Sequence, residues 1–314
     1  MNRKILVIVL FATIVHASCE KEEKFESKFI QGLTLDNYPK VDGSTSTLPL
    51  NTVIACELLG INYDWVQEHP NLQQWKIEPD LKSSEKFWGK VKSSQTHQSF
   101  INLIDKNTEL VLSARKMSPD EINYAKNAGV SLIETPIAID AFIFIVNPLN
   151  QITSLTIEQV QEIYTGKITN WKEVGGKDAT INPYIRNKNS GSQELMELLV
   201  MSDSGILEFP ISMEVINTMT GTIDAVVRDV EGICYTVHYY KENILRDTNT
   251  KTIAIEGIHP NTDRIKDKTY PLAAEVYAVI RSDLDKLSMA YKVYEWIQTE
   301  EGKHIISKSG YLPN

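Results

Sequence analysis

Clustered metal ligands and activated nucleophiles are what this 314-residue chain lacks. Its six histidines, at positions 16, 69, 97, 238, 259 and 304, form no H-x-x-x-H or H-E-x-x-H pair. The three cysteines, Cys19, Cys56 and Cys234, are spaced too far apart to read as a zinc motif. No G-x-S-x-G elbow and no G-x-x-x-x-G-K-[ST] loop occurs, so the usual nucleophile and the usual nucleotide cradle are both missing. One S-x-x-K match, Ser83-Ser84-Glu85-Lys86, lacks the S-D-N and K-T-G partners that would give it meaning. Neither an enzyme, nor a metal, nor a cofactor is expected. Basic charge is also in deficit, with 32 Lys and Arg against 41 Asp and Glu, a net charge of -9. A general nucleic-acid or anionic-membrane binder needs the opposite sign over its surface. A small anion stays open, because a buried site sets its own potential. Beyond residue 30 there is no apolar run of membrane length; the best, Pro136 to Val146, is interrupted by Asp140 and reads as a buried strand. No repeat of solenoid or propeller length recurs.

The apolar run that does exist is at the start. Arg3 and Lys4 precede Ile5 to Val15, and Ala17-Ser18 then leads to Cys19. That layout is a secretory signal, too short for a permanent membrane helix. Small residues before a cysteine resemble the lipobox of bacterial lipoproteins, although His16 departs from the apolar residue usual there. The expectation is that residues 1–18 are removed, that Cys19 carries lipid, and that residues 19–37 form a tether. Cys56 and Cys234 are expected as buried free thiols rather than a disulfide.

At this length two lobes are expected. Short strands (Leu110 to Ser113, Ala141 to Val146, Ile233 to Val237, Val276 to Ile280) alternate with helices, the signature of an α/β fold. Helices are expected over Leu50 to Leu59, Gln98 to Ile104, Pro119 to Asn127, Thr156 to Tyr164, Ser192 to Met201 and Ser288 to Thr299. Ser118 and Thr156 are the natural N-caps, the latter with Gln159 three residues on. Three segments rich in Gly, Ser and Thr fall where strands give way to helices. They are Asp42 to Leu50 (DGSTSTLPL), Ser93 to His97 (SSQTH) and Arg186 to Ser192 (RNKNSGS). A helix start offers unpaired N–H groups and the positive end of the dipole, which suits an anion. An arginine adds a planar fork matched to oxyanions. Each segment alone is an ordinary N-cap; three together, one with Arg four residues before Ser-Gly-Ser, point to an anion site.

Longer stretches then become recognisable. DGSTSTLPL, SARKMSPDE (113–121), PIAIDAFIFIVN (136–147), LTIEQVQEIYTGKITNWKEVGG (155–176) and YIRNKNSGSQELME (184–197) resemble the phosphate-binding lipoproteins of bacterial ABC-type phosphate importers, a PstS-like periplasmic binding protein family. EGICYT (231–236), YPLAAEVYAVIR (270–281) and EGKHIISKSGYLPN (301–314) extend the resemblance from about residue 38 to the end. It implies a two-lobed type II binding-protein fold, two mixed sheets flanked by helices with two chain crossings. Residues 38–140 plus 272–314 would form one lobe and 141–271 the other. It also implies capture of inorganic phosphate by a monomeric receptor, delivered to an ABC permease, at the outer face of a bacterial membrane. Sulfate or another tetrahedral oxyanion, or a surface phosphate sensor without transport, are the alternatives. By the same resemblance Arg186 is the guanidinium ligand, Ser190, Gly191 and Ser192 donate from hydroxyls and backbone, and Thr47 and Leu48 donate from the first lobe beside Ser46. Thr96 matches a second hydroxyl donor. Two positions depart from the family: Ser113-Ala114-Arg115 stands where many relatives have an Asp able to accept the proton of hydrogen phosphate, and Lys188 where some have an acid. A backbone carbonyl or Asp140 is left as the acceptor, and Arg115 as either an anion contact or, in the favoured reading, a surface ion pair. His97 reads as a helix-start residue, and Trp171, Tyr164 and Tyr235 as packing anchors. Changing Cys19 to Ser is expected to move the protein from membranes to the soluble fraction, and a variant that still sediments with membranes would exclude the lipid anchor.

Overall fold

The computed structural model describes residues 25–69, 72–202 and 213–314; the expected leader, Cys19 and the first part of the tether lie outside these. Strands form both from apolar, β-branched runs such as Leu110–Ser113, buried on both faces, and from partly exposed runs such as Glu214–Ile216. In the first half these are β1 (Val41–Gly43), β2 (Tyr63–His69), β3 (Leu72–Pro79), β4 (Leu110–Ser113), β5 (Leu132–Val146) and β6 (Ser154–Leu155). They continue as β7 (Asn182–Arg186), β8 (Glu214–Ile216), β9 (Gly232–Val237) and β10 (Lys251–Thr252). The last are β11 (Ala254–Ile255), β12 (Ala273–Arg281) and β13 (Leu312–Pro313). The order β1-β4-β12-β5-β9-β7-β8, with β10 and β13 also on β5, makes a mixed nine-stranded sheet.

Strand β5 holds this sheet together. Residues 132–141 pair antiparallel with β12, and residues 142–146 pair antiparallel with β9. Its 15 residues reach about 50 Å at about 3.3 Å each, enough to serve both partners. The two expected sheets are therefore joined through a shared strand into one hydrogen-bonded path. Pro136 has no N–H for the ladder, and the register with β12 shifts beside it, between Val276 and Tyr277. Where β5 changes partners, Phe142 N donates to Leu272 O (2.9 Å), so the chain entering β12 runs alongside.

The core follows the shared strand. Phe142, Phe144, Tyr164 and Tyr235 are fully buried, with ring centroids between 5.3 and 6.1 Å apart in tilted and edge-on contacts. Tyr164 and Tyr235 are thus packing anchors. Trp171 is a third, buried and donating from Nε1 to Glu231 O. Cys56 and Cys234 are buried free thiols, each pushed up to about 12 by desolvation.

Helices α1 (Leu48–Leu59), α2 (Glu85–Trp88), α3 (Thr96–Ile104), α4 (Pro119–Asn127), α5 (Ile157–Tyr164) and α6 (Gly191–Leu195) surround the sheet. At α5, Thr156 and Gln159 form the reciprocal capping box that their spacing predicts. The single helix expected over 192–201 is instead α6 followed by a π-helical turn, Met196–Met201. The helix expected over 288–299 ends at Ile297, and Thr299 caps a second one, Glu300–Lys308. Residues 25–37, expected as tether, fold onto the domain: Ile30 and Leu33 are buried, and the Phe29 ring lies 5.3 Å from that of Trp296. The β2–β3 hairpin was not expected, because no Asn-Gly or Asp-Gly turn announces it. Among the described residues no helix is long and apolar enough to cross a membrane.

Asp140 sits where β5 changes partners. Its Oδ1 accepts from Ala141 N (2.7 Å) and Tyr239 N (2.9 Å), while Oδ2 is buried without a hydrogen-bond partner among the described residues. Desolvation raises its pKa to about 7 against those two N–H groups. The neutral form is favoured by folding, so this contribution to stability is full below the unfolded carboxyl's pKa and lost as pH rises through about 7. In denaturant titrations at about pH 5 and about pH 8, the parent should lose stability relative to Asp140→Asn. A parent and variant that respond identically to pH would contradict this reading.

Candidate functional site

A cavity of about 240 Å³ lies where three helix starts meet the end of β7. Ser44, Thr45 and Ser46 line it from the β1–α1 turn, Gln95 and Thr96 from the start of α3, and Ser190, Gly191 and Ser192 from the start of α6. Arg186 enters from the end of β7, and Gln74, Asn217 and Tyr240 close the remaining sides. No carboxylate of the described residues lines it.

The first turn depends on Gly43. A Cβ there would stand 2.3 Å from Leu112 O, so only glycine lets β1 run this close to β4 before the chain turns. The hydroxyl of Thr47 then ties the turn to the sheet, donating to Leu112 O (2.7 Å) and Ser44 O (3.0 Å). This corrects the expectation for Thr47 and Leu48. The Thr47 hydroxyl is engaged by carbonyls, the Leu48 amide points back to Thr45 O (3.5 Å), and neither residue lines the cavity. Ser44 lines it instead, a residue that sequence reasoning missed. Its Oγ accepts from Thr96 Oγ1 (2.9 Å) and from Ala114 N (3.0 Å), leaving its own proton to point elsewhere. DGSTST carries four consecutive hydroxyls, and nothing local marks which one faces inward.

Asp42, fully buried, positions the second segment. Its carboxylate accepts from Gly43 N (2.8 Å), Ser94 N (2.7 Å) and Asn102 Nδ2 (2.8 Å). Beside it Gln95 takes φ 69° and ψ 164°, a conformation that non-glycine residues rarely adopt and that costs about 1–3 kcal/mol. The strain lies at the cavity wall.

At α6 the Ser190 hydroxyl accepts from Gln193 N (3.2 Å). The N–H groups of Gly191 and Ser192, in the first turn, have no intrahelical acceptor. A Cβ on Gly191 would stand 2.5 Å from Thr96 Oγ1, so glycine permits the two helix starts to approach. Both present the positive end of their dipole to the same space.

Arg186 is 6 % exposed. Tyr235 Oη (3.0 Å) and Gln193 Oε1 (3.2 Å) accept from its backbone N–H. Its Nε donates to Ile216 O (2.9 Å) and Nη2 to Asn217 O (3.4 Å), which orients the fork. Among the described residues no carboxylate pairs with it, and desolvation lowers its pKa from the ordinary arginine value. A guanidinium this deep normally has a counter-charge, since removing an ion from water costs roughly several kcal/mol. The space in front of it is lined by donors.

Arg115 is different. It is 2 % exposed, and Nη1 and Nη2 donate to Glu121 Oε2 and Oε1, both at 2.8 Å. It is an ion pair, but a buried one rather than a surface one, and it does not line the cavity. His97 meets the same carboxylate (3.0 Å), and Ser118 N donates to it (2.8 Å). Lys188 is exposed, 3.9 Å from Asp120. Asp140 lines a separate cavity with His238, Tyr239 and Tyr311, so it does not face the anion space.

A mixed α/β sheet bearing a desolvated, donor-lined, cationic cavity has the chemistry that suits a small anion. The chain belongs to the PBP superfamily: the model of the PBP superfamily domain matches residues 73–301. Among curated relatives it is 26 % identical over 215 residues to the phosphate-binding protein PstS of Borreliella burgdorferi, covering 67 % of this chain and 74 % of that one. It is 23 % identical over 184 residues to PstS of Bacillus subtilis, covering 58 % of each. Among solved structures, a putative phosphate ABC transporter substrate-binding protein with bound phosphate from Clostridium perfringens superposes with a TM-score of 0.62 at 21 % identity, covering 87 % of this chain and 98 % of that one. An ABC-type phosphate transport receptor from Vibrio cholerae gives 0.61 at 22 % identity, with the same coverage. At these identities the superpositions show a shared fold.

Because Arg115 and Glu121 are a closed pair outside the cavity, Arg115→Ala should lower the unfolding free energy by about 3–5 kcal/mol by stranding a buried carboxylate. Anion affinity of the folded fraction should stay at the parent value. Denaturant unfolding and calorimetry on the same preparation check both halves, and a large affinity loss without a stability loss would place Arg115 at the ligand after all.

Proposed function

We propose that this protein is an extracytoplasmic substrate-binding protein that captures inorganic phosphate and delivers it to the membrane permease of an ABC importer. The observation that carries this reading is the buried Arg186 guanidinium, without a carboxylate partner among the described residues, facing the starts of α3 and α6. The similarity to the phosphate-binding proteins of Borreliella and Bacillus supports phosphate as the anion. Arg186 would bond two ligand oxygens, with N–H groups of Gly191 and Ser192 and hydroxyls of Ser190, Thr96, Ser46 and Ser44 around it. Thr47 and Leu48 would act by holding the turn. Residues 38–140 with 272–314 would form one lobe and residues 141–271 the other, with the ligand between them and β5 as one crossing. Binding energy would come from donors already stripped of water, so no chemical step is involved. The mature protein would be a monomer held at the outer face of a bacterial membrane by lipid on Cys19. A second reading, another tetrahedral oxyanion such as sulfate, is favoured by the cavity lining, which offers no carboxylate to accept the proton of hydrogen phosphate.

Calorimetry of the soluble domain against phosphate, sulfate, arsenate and molybdate separates these readings. Arg186→Lys keeps the charge but not the fork and should weaken phosphate binding; Arg186→Ala should weaken it further, by about 2–5 kcal/mol, or roughly thirtyfold to several thousandfold. A folded Arg186→Ala protein with parent affinity would remove the basis of the oxyanion assignment.

A further inference from the structure

The β2–β3 hairpin takes no part in the three helix-start segments, yet one of its residues reaches the cavity. Gln74 on β3 lines it, half-buried, and its amide makes no hydrogen bond among the described residues. The residues on either side fasten that strand to the opposite side of the site. Gln73 Oε1 accepts from Asn249 Nδ2 (3.2 Å), and the guanidinium of Arg246 lies 3.8 Å from the Trp75 ring centroid and 5.5 Å from that of Trp65. Arg246 follows the π-helical turn Tyr240–Leu245, against which β3 packs and from which Tyr240 faces the same cavity. Its φ of 48° is left-handed, unusual for a residue with a side chain. A cation stacked on two indoles and turned by a strained backbone is a built contact, not a chance one.

We propose that Gln74 is a ligand-contact residue, held over the anion cavity by the stacking of Arg246 on Trp75 and Trp65. This rests on the oxyanion reading of the cavity. A carboxamide carries both a donor and an acceptor. With no carboxylate among the described lining residues, the Gln74 Oε1 joins Asn217 and Tyr240 as side-chain acceptors from outside the three helix-start segments, and its Nε2–H can serve an unprotonated oxygen instead. An amide able to present either group accepts hydrogen phosphate and tolerates a fully ionised dianion. Arg246 acts on the ligand only through Gln74, as a positioning residue.

Three variants of the soluble domain, titrated with phosphate and with sulfate, test this. Gln74→Met, which keeps volume and removes both polar atoms, should weaken phosphate binding by roughly tenfold to a hundredfold. Gln74→Glu should raise the ratio of phosphate to sulfate affinity, because a carboxylate accepts a proton that sulfate lacks and repels what remains. Arg246→Ala should release phosphate about three- to thirtyfold faster in stopped flow with the association rate little changed, and Arg246→Lys should recover part of that loss. Parent-like affinity in Gln74→Met together with an unchanged selectivity ratio in Gln74→Glu overturns the contact. Parent-like release from Arg246→Ala overturns the positioning role. If the unsubstituted domain binds neither anion, the oxyanion reading itself has failed, and the contact falls with it. Amide hydrogen exchange over β2 and β3 in ligand-free Arg246→Ala then still decides the stack: faster exchange than in the parent upholds it, and equal exchange removes it.

Discussion

A buried guanidinium with no counter-charge among the described residues is the constraint around which the site is organised. Arg186 is fixed at its backbone by Tyr235 and Gln193 and at Nε by Ile216 O, so it cannot turn away to solvent. Those contacts tie it to the core and to the sheet. Tyr235 belongs to the aromatic cluster around β5, and Ile216 ends the strand that pairs parallel with β7. The sheet therefore holds a positive charge in place at a desolvation cost that carbonyl oxygens offset in part and that an anion in the adjoining space would offset further. A mobile surface arginine with the same charge would gain less from binding, because it would lose both solvation and side-chain freedom at that moment.

Around this charge the donors are placed by close backbone approach rather than by side-chain reach. Gly43 lets β1 pass against Leu112, which sets where the Ser44 to Thr47 turn begins. Gly191 lets α6 meet α3, so that N–H groups from both helix starts share one space with the hydroxyls of Ser44 and Thr96. A methyl group at either glycine would meet an oxygen well inside van der Waals distance. Asp42 adds the third restraint, gathering β1, the 93–95 segment and α3 with one buried carboxylate. Its negative charge is taken up by these donors and by Lys92 (3.4 Å), outside the cavity lining.

How far the sequence could be read divides along the same line. Features carried by local spacing were legible: the Thr156 to Gln159 cap, the helix opened by Pro119, and Arg186 four residues before Ser190-Gly191-Ser192, all of which the structure brings to the expected elements. Features decided by distant partners were not. Thr47 and Ser44 are both hydroxyl residues in one short motif, and their roles are exchanged by a hydrogen bond to Leu112 O and another to Ala114 N, far along the chain. Arg115 looked like a surface residue because it sits in a polar stretch, yet Glu121 and the Phe100 ring (5.6 Å) enclose it. The β2–β3 hairpin combines polar residues with Trp65 and Trp75 and has no diagnostic turn, so neither its existence nor the path of Gln74 to the cavity was visible. The bounds of the lobes were inferred from resemblance, and β5, read as a strand from Pro136 or from Ala141, begins earlier, at Leu132, and serves both sides of the sheet.

That shared strand also connects the cavity to the last residues of the chain. Tyr239, two residues past the end of β9, gives its N–H to Asp140 and its hydroxyl to Ser309 O (2.6 Å). Its ring stacks on Tyr311 at 3.7 Å with 9° between planes. The hydroxyl of Tyr311 in turn donates to Ser46 O (3.0 Å), inside the turn that lines the anion space. Ser46 thus has its carbonyl anchored to the C-terminal segment, while the residue itself lines the cavity with Ser44 and Thr45. A turn whose carbonyl is held from behind presents its donors in front with little freedom left to lose on binding, which is the form of preorganisation a desolvated anion site requires. The C-terminal Tyr311 and the strand that spans the sheet in this sense support the candidate anion site, although neither lines its cavity.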